Sequence, residues 1–326
     1  MILEKSSYSP ALPFKSSHFN TIYRTLFHKL EVDYHRERME MADGDFMDLD
    51  FTRVGSDKIV IILHGLEGSS ESKYMQALSL VARDSGIDSV SVNFRGCSGE
   101  PNRLLSSYHS GKIDDLAEVF DYLNGNHKYE TYYLVGYSLG GNMALKYLGE
   151  GRFQLPNQLK AAVAVSVPCD LRASSEEISK FWNTVYMQRF LISLKKKTLK
   201  KMEQFPEARL ERERLLKVNN FFDFDNLYTA PVHGFKDAFD YWEQNSCRQF
   251  LGGIKTPSLL ITATDDPFLS ETCYPFDEAR SHKYFHLEAT RFGGHVGYNS
   301  EFSNGSGFWL ERRILSFLTD PERASY

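Results

Sequence analysis

At 326 residues, with 42% hydrophobic and 25% charged content, the chain is long enough to bury one large core, either as a single elaborated α/β domain or as two ordinary ones. A formal charge of −5 argues against a protein built as a whole to bind polyanions, so nucleic acid is not an expected partner. The opening Met1-Ile2-Leu3-Glu4-Lys5-Ser6 lacks the apolar stretch of a signal peptide, and no later run approaches the ~20 apolar residues of a membrane span; a soluble, cytoplasmic protein is expected. Cys97, Cys169, Cys247 and Cys273 show no C-x-x-C pairing or zinc spacing, and the ten histidines form no H-E-x-x-H, so reduced packed thiols and no metal or cofactor are expected.

Residues 1–30, with Pro10, Pro13 and scattered aromatics, read as an arm laid over the surface. Tyr34 to Met41 and Phe46 to Phe51 flank the turn signal Asp43-Gly44-Asp45; Met39, Met41, Met47, Leu49 and Phe51 alternate, which predicts an antiparallel hairpin at a sheet edge. The β-branched run Lys58 to Leu63 suits a strand covered on both faces, and it leads into His64-Gly65-Leu66-Glu67-Gly68. A helix is expected over Tyr74 to Arg83, with Ser69, Ser70 and Ser72 as candidate caps. The strand Ile87 to Asn93 opens into Asn93-Phe94-Arg95-Gly96-Cys97-Ser98-Gly99-Glu100-Pro101-Asn102, too polar for core and read as a structured loop near a site rim. After Tyr108-His109-Ser110-Gly111 comes a helix from Ile113 to Leu123, with Asp114 and Asp115 in its first turn as the macrodipole favours.

Tyr132 to Val135 is a buried strand, Gly136-Tyr137-Ser138-Leu139-Gly140 a sharp turn, and Met143 to Leu148 a helix. In such an elbow the serine holds a strained backbone position, and the two glycines let strand and helix approach without a Cβ clash. Lys160 to Val167 is a further strand, and the strand–helix alternation from residue 58 onward predicts a parallel sheet with right-handed crossovers. Residues 171–250 then break that rhythm with helical segments. From Leu191 to Lys217 there are nine Lys and Arg against four Glu, a local excess of five positive charges. This stretch reads as a cap whose Leu191, Leu194, Leu199 and Met202 face either an acyl pocket or the domain beneath, and whose basic face lies in solvent or makes transient contact with an anionic membrane. Lys255 to Ala263 restores a strand ending at Thr264-Asp265-Asp266-Pro267; Lys283 to Leu287 is the last strand, Gly293-Gly294-His295-Val296-Gly297 the loop after it, and Trp309 to Leu318 a closing helix.

Ser138, an acid after a late strand and His295 after the final one follow the order Ser, Asp, His of the α/β-hydrolase fold. A hydroxyl is a poor nucleophile until a neutral imidazole removes its proton, and a carboxylate must fix that imidazole's tautomer. Asp266 is the preferred acid because Pro267 fixes the chain behind it, with Asp265 left to bond loop amides. His109 is a rival base that precedes the serine and lacks a nearby acid. The backbone amides of Leu66 and Leu139 are the candidate oxyanion donors.

The Asn93–Asn102 block, Tyr108-His109-Ser110-Gly111, the elbow, Phe222-Asp223-Phe224-Asp225, Asp265-Asp266-Pro267-Phe268 and Gly293–Gly297 together resemble the YheT/EMB8 branch of α/β hydrolases, related to the eukaryotic ABHD1/2/3 proteins. The resemblance spans residues 10–320 and implies an esterase-type serine hydrolase with Ser138, Asp266 and His295 at the family's triad positions. It implies short-chain esters, acylglycerols or phospholipids as substrates. Lys112 and Phe224 depart from the family pattern at the rim and cap. The expected organisation is an arm (1–30), a hydrolase core in two parts (31–170 and 251–326) and an inserted helical cap (171–250). Acyl transfer to an alcohol on the same triad and a non-catalytic ligand-binding relative are the alternatives; oligomeric state is left open.

Overall fold

The computed structural model describes residues 1–3, 6–303 and 308–322. Eight strands form one sheet: β1 (His35–Glu40), β2 (Phe46–Thr52), β3 (Lys58–Leu63), β4 (Asp88–Asn93), β5 (Thr131–Tyr137), β6 (Leu159–Val165), β7 (Ser258–Ala263) and β8 (Phe285–Thr290). Their order is β1-β2-β4-β3-β5-β6-β7-β8. The pairs β1/β2 and β2/β4 are antiparallel and every other pair is parallel, so the expected mixed hydrolase sheet with an edge hairpin is borne out.

Side chains alternate across a strand, and β3 divides between two cores accordingly. Ile59, Ile61 and Leu63 join a core with Leu116, Val119 and Phe120 of α3 (Ile113–Asn126) and Met143 of α4 (Leu139–Gly149). Val60 and Ile62 join the opposite core, with Met75 and Leu78 of α2 (Lys73–Asp84) and Leu310, Ile314 and Phe317 of the C-terminal helix Trp309–Thr319.

Both faces of β2 are buried: Asp48 and Asp50 are bonded across the ladder by Arg38 and Arg36. Two details differ from expectation. The helix after the His64 loop has no side-chain cap, because the Ser72 hydroxyl accepts the Ser69 amide instead. The last strand starts at Phe285 rather than Lys283, since His282 Nδ1 accepts the amides of both Tyr284 and Phe285 and holds the chain in a turn.

Between β6 and β7 the chain leaves the sheet through the helices Leu171–Ile178, Thr184–Gln204, Arg212–Lys217 and Ala238–Asn245, with shorter helical pieces between the last two; none of the described residues there forms a strand. These segments have apolar centres of their own, one around Met187, Leu191, Leu215 and Phe224 and another around Ala230, Tyr241 and Trp242. Leu191 therefore points into the helical layer itself, and only Leu194 of the four residues singled out also lines a cavity below it. The N-terminal stretch contains α1 (Ser17–Phe27), whose buried Arg24 pairs with buried Glu311. No described helix is long and apolar enough to cross a membrane.

Candidate active site

Because β3 to β8 are parallel, the loops at their C-terminal ends meet along one edge of the sheet, where ligands bind in open α/β folds. Ser138 lies there between β5 and α4, at φ 52° and ψ −118°. A residue other than glycine at such a φ is strained, and its surroundings hold it there: the Ser138 amide donates to Val165 O at 2.8 Å and its carbonyl accepts the Asn142 amide at 3.0 Å. The glycines of the elbow are sterically required. A Cβ on Gly136 would stand 2.3 Å from Gly140 O, and one on Gly140 would stand 2.5 Å from His64 O.

His295 comes from the loop after β8. Its Nδ1 faces both oxygens of Asp266, at 2.9 and 3.1 Å, so Nδ1 carries the proton and Nε2 is left as the basic nitrogen. Asp266 is buried and also accepts the Phe268 amide at 2.9 Å. Phe268 packs against the imidazole, with ring centroids 4.3 Å apart. Asp265 does not reach the ring: one of its oxygens accepts the Gly294 amide at 2.9 Å and the other has no partner among the described residues. Burial pushes the Asp265 carboxyl up to about 6.

The loop after β3 passes directly against the elbow, and a Cβ on Gly65 would lie 3.2 Å from Ser138 Cβ. His64 is spent on holding this loop: Nδ1–H donates to Gly65 O at 2.7 Å and Nε2 accepts the Phe94 amide at 3.2 Å. Burial depresses it to about 3, so it stays neutral. The Gly65 amide goes to the Tyr74 hydroxyl and the Glu67 amide to the Tyr108 hydroxyl. The intervening Leu66 amide has no partner among the described residues, and neither does that of Leu139 at the start of α4, where helical amides lack an internal acceptor. Leu66, Ser138, Leu139 and His295 line one cavity of about 420 Å³.

His109 lines the same cavity with no carboxylate partner among the described residues; its ring packs on His233, Phe235 and Tyr241, and its Nδ1 accepts the Gly111 amide. Burial, then the neighbouring His233, pushes its pKa well below the ordinary histidine value. Arg95 is a structural residue, bidentate on Asp115 and bonded to Asp43 and Asp45.

A family model for the alpha/beta hydrolase fold matches residues 58–296. The chain belongs to that family. Within the α/β hydrolases it is similar to YheT of Escherichia coli (strain K12), at 35% identity over 320 residues, covering 96% of this chain and 93% of that protein, so the resemblance read from the sequence blocks is borne out. It is also similar to phospholipase ABHD3 of Mus musculus, at 26% identity over 83% of this chain and 67% of that protein. Among solved structures, an esterase from Pyrococcus furiosus superposes with a TM-score of 0.58 at 18% identity, covering 88% of this chain and 91% of that one, a likeness of fold.

Two contacts in this α/β-hydrolase site were not legible in sequence. Glu67, at φ 55°, aims its buried carboxylate at the helical layer, where it accepts from Ser193, from Lys197 Nζ at 2.9 Å and from the Tyr108 hydroxyl at 2.7 Å. The His295 amide donates to Thr21 Oγ1 at 2.9 Å, so the N-terminal helix braces the histidine loop. Glu67 occupies an unspecified position of the H-G-x-x-G turn, and a contact spanning 274 residues leaves no local pattern.

Proposed function

We propose that the protein hydrolyses carboxylic esters through an acyl-enzyme on Ser138. In this reading His295 Nε2 takes the Ser138 proton as Oγ adds to the ester carbonyl, and Asp266 stabilises the imidazolium that forms. The Leu66 and Leu139 amides donate to the oxyanion, in a site where one such donor is worth about 10²–10³ in kcat. The tetrahedral intermediate collapses with cleavage of the C–O bond, and the departing alkoxide takes the proton from His295. Water then attacks the acyl-enzyme with His295 again as base, releasing the acid and restoring Ser138.

The observation that carries this reading is His295 held at Nδ1 by both oxygens of Asp266, in the cavity that Ser138 lines. The similarity to a phospholipase, together with walls that include Ile178, Phe190, Leu194 and Phe268, supports substrates with an acyl chain, from short esters to acylglycerols or phospholipids. Residues 171–250 act as the cap over this chamber. Four buried, unpaired cysteines support a reducing, cytoplasmic setting.

The test is kcat/KM on p-nitrophenyl esters from acetate to palmitate, for the wild type and Ser138→Ala. Turnover that depends on Ser138 and peaks at one chain length supports the reading and sizes the chamber. A folded protein with no turnover at any length, or with turnover that survives Ser138→Ala, overturns it.

A further inference from the structure

The helix Thr184–Gln204, here called the cap helix, has one side in the chamber and another facing outward. Val185, Arg189, Ile192 and Lys196 follow each other at spacings of four, three and four residues, which puts them on one helical face, and all four are exposed. Val185 and Ile192 are 79% and 67% exposed. The turn leading into the helix adds Phe181 at 90% and Trp182 at 60%, with Lys180 Nζ over the indole at 5.6 Å. Large apolar side chains displayed to this extent and grouped together mark an interaction surface.

The charges around them select the partner. In its 21 residues the cap helix has six cations and a single acid, Glu203 near its end, in a protein whose net charge is −5. Arg189, Lys196 and Lys200 have no ionic or hydrogen-bonding partner among the described residues. A second copy of the chain on this face would set these free cations against their own equivalents across a twofold axis, which is repulsive. An anionic bilayer accepts both features, since aromatic and aliphatic side chains enter the headgroup boundary while Lys and Arg meet lipid phosphates.

We propose that the outward face of the cap helix and the Phe181-Trp182 turn form a docking surface for an anionic lipid bilayer. Lys196 and Lys200 also line the rim of the cavity, so docking brings the mouth of the Ser138 chamber to the membrane. The surface is continuous with the N-terminal helix: His18 stacks on Tyr186 at 5.8 Å, and Ile22 and Leu26, one and two turns beyond His18, are exposed. The purpose of docking rests on the esterase reading; the binding itself does not.

The experiment is co-sedimentation of the full chain with vesicles of phosphatidylcholine alone and of phosphatidylcholine mixed with phosphatidylglycerol, alongside turnover of a water-soluble ester. Binding is expected only to the mixed vesicles and is lost at high salt. Phe181→Ser with Trp182→Ser should weaken partitioning by at least about tenfold, and Arg189→Glu by about fivefold or more, while turnover of the soluble ester is unchanged for the Phe181/Trp182 variant. Absence of binding to mixed vesicles overturns the proposal. So does binding indifferent to the aromatic substitutions, or a dimer in light scattering that those substitutions dissolve. Loss of soluble-ester turnover in the wild type would instead count against the esterase reading and leave the sedimentation result standing.

Discussion

The Asp266 carboxylate faces His295 Nδ1 with both oxygens, while Asp265, its neighbour in the chain, turns to the Gly294 amide. The division is geometric: one carboxylate reaches the imidazole and the other does not. Asp266→Asn should therefore reduce kcat by about 10³–10⁴-fold, since an amide in that place favours the wrong histidine tautomer. Asp265→Asn should cost less than tenfold, because an Asn oxygen still accepts from Gly294. Steady-state kinetics of the two variants side by side decides it, and equal losses would reassign the acid.

Asp265 also sets a pH dependence of stability. Burial, against the bond from Gly294 and with added repulsion from Asp266, raises its carboxyl to about 6. As pH rises from about 4, the unfolded chain ionises this group before the folded one does, so the group lowers stability progressively between about pH 4 and pH 6 and fully above that. Asp265→Asn removes this penalty. Relative to the wild type, the variant should gain about 1 kcal/mol between pH 4 and pH 7, a figure reduced for the group's partial exposure to solvent. Urea unfolding at the two pH values checks the sign; a constant difference would show that the carboxyl is not perturbed.

Most of the fold was legible because its signals are local: the alternating apolar residues of the edge hairpin, β-branched runs, a glycine-flanked serine, and short loops between them. The elbow glycines could be assigned from chemistry alone, since nothing else fits opposite Gly140 O and His64 O. What escaped is what depends on chain folding back. Asp48 and Asp50 alternate with the apolar residues of the edge hairpin, a pattern that does not show that they are buried under Arg38 and Arg36. Glu67 looked like part of a turn and ties the loop after β3 to the helix Thr184–Gln204. The sequence pattern also could not say where the cap leucines point, because the helical layer has a core of its own.

Lys197→Met leaves the buried Glu67 carboxylate with one donor fewer and should destabilise the protein by about 1–3 kcal/mol. If Glu67 steadies the Leu66 amide, kcat should fall more than KM changes. Adding Glu67→Gln to Lys197→Met should restore part of the lost stability, because the unpaired charge is gone. Denaturant unfolding of the single and double variants measures the coupling, and strict additivity would mean that the two side chains act independently.

Thr21→Val should be felt in the histidine loop rather than in the N-terminal helix. It removes the acceptor of the His295 amide while keeping shape, at a cost of about 1 kcal/mol. Amide exchange at residues 293–297 should quicken, with a several-fold loss in kcat. Unchanged exchange in that loop would show that its other contacts suffice.

Whether Ser138 is the nucleophile activated by His295 is decided by reaction with a fluorophosphonate probe, followed by mass spectrometry of the labelled peptides. A single phosphonyl adduct is expected on Ser138, absent in Ser138→Ala and slowed by several orders of magnitude in His295→Ala. An adduct on another residue, or labelling of Ser138 at the same rate without His295, would contradict that role.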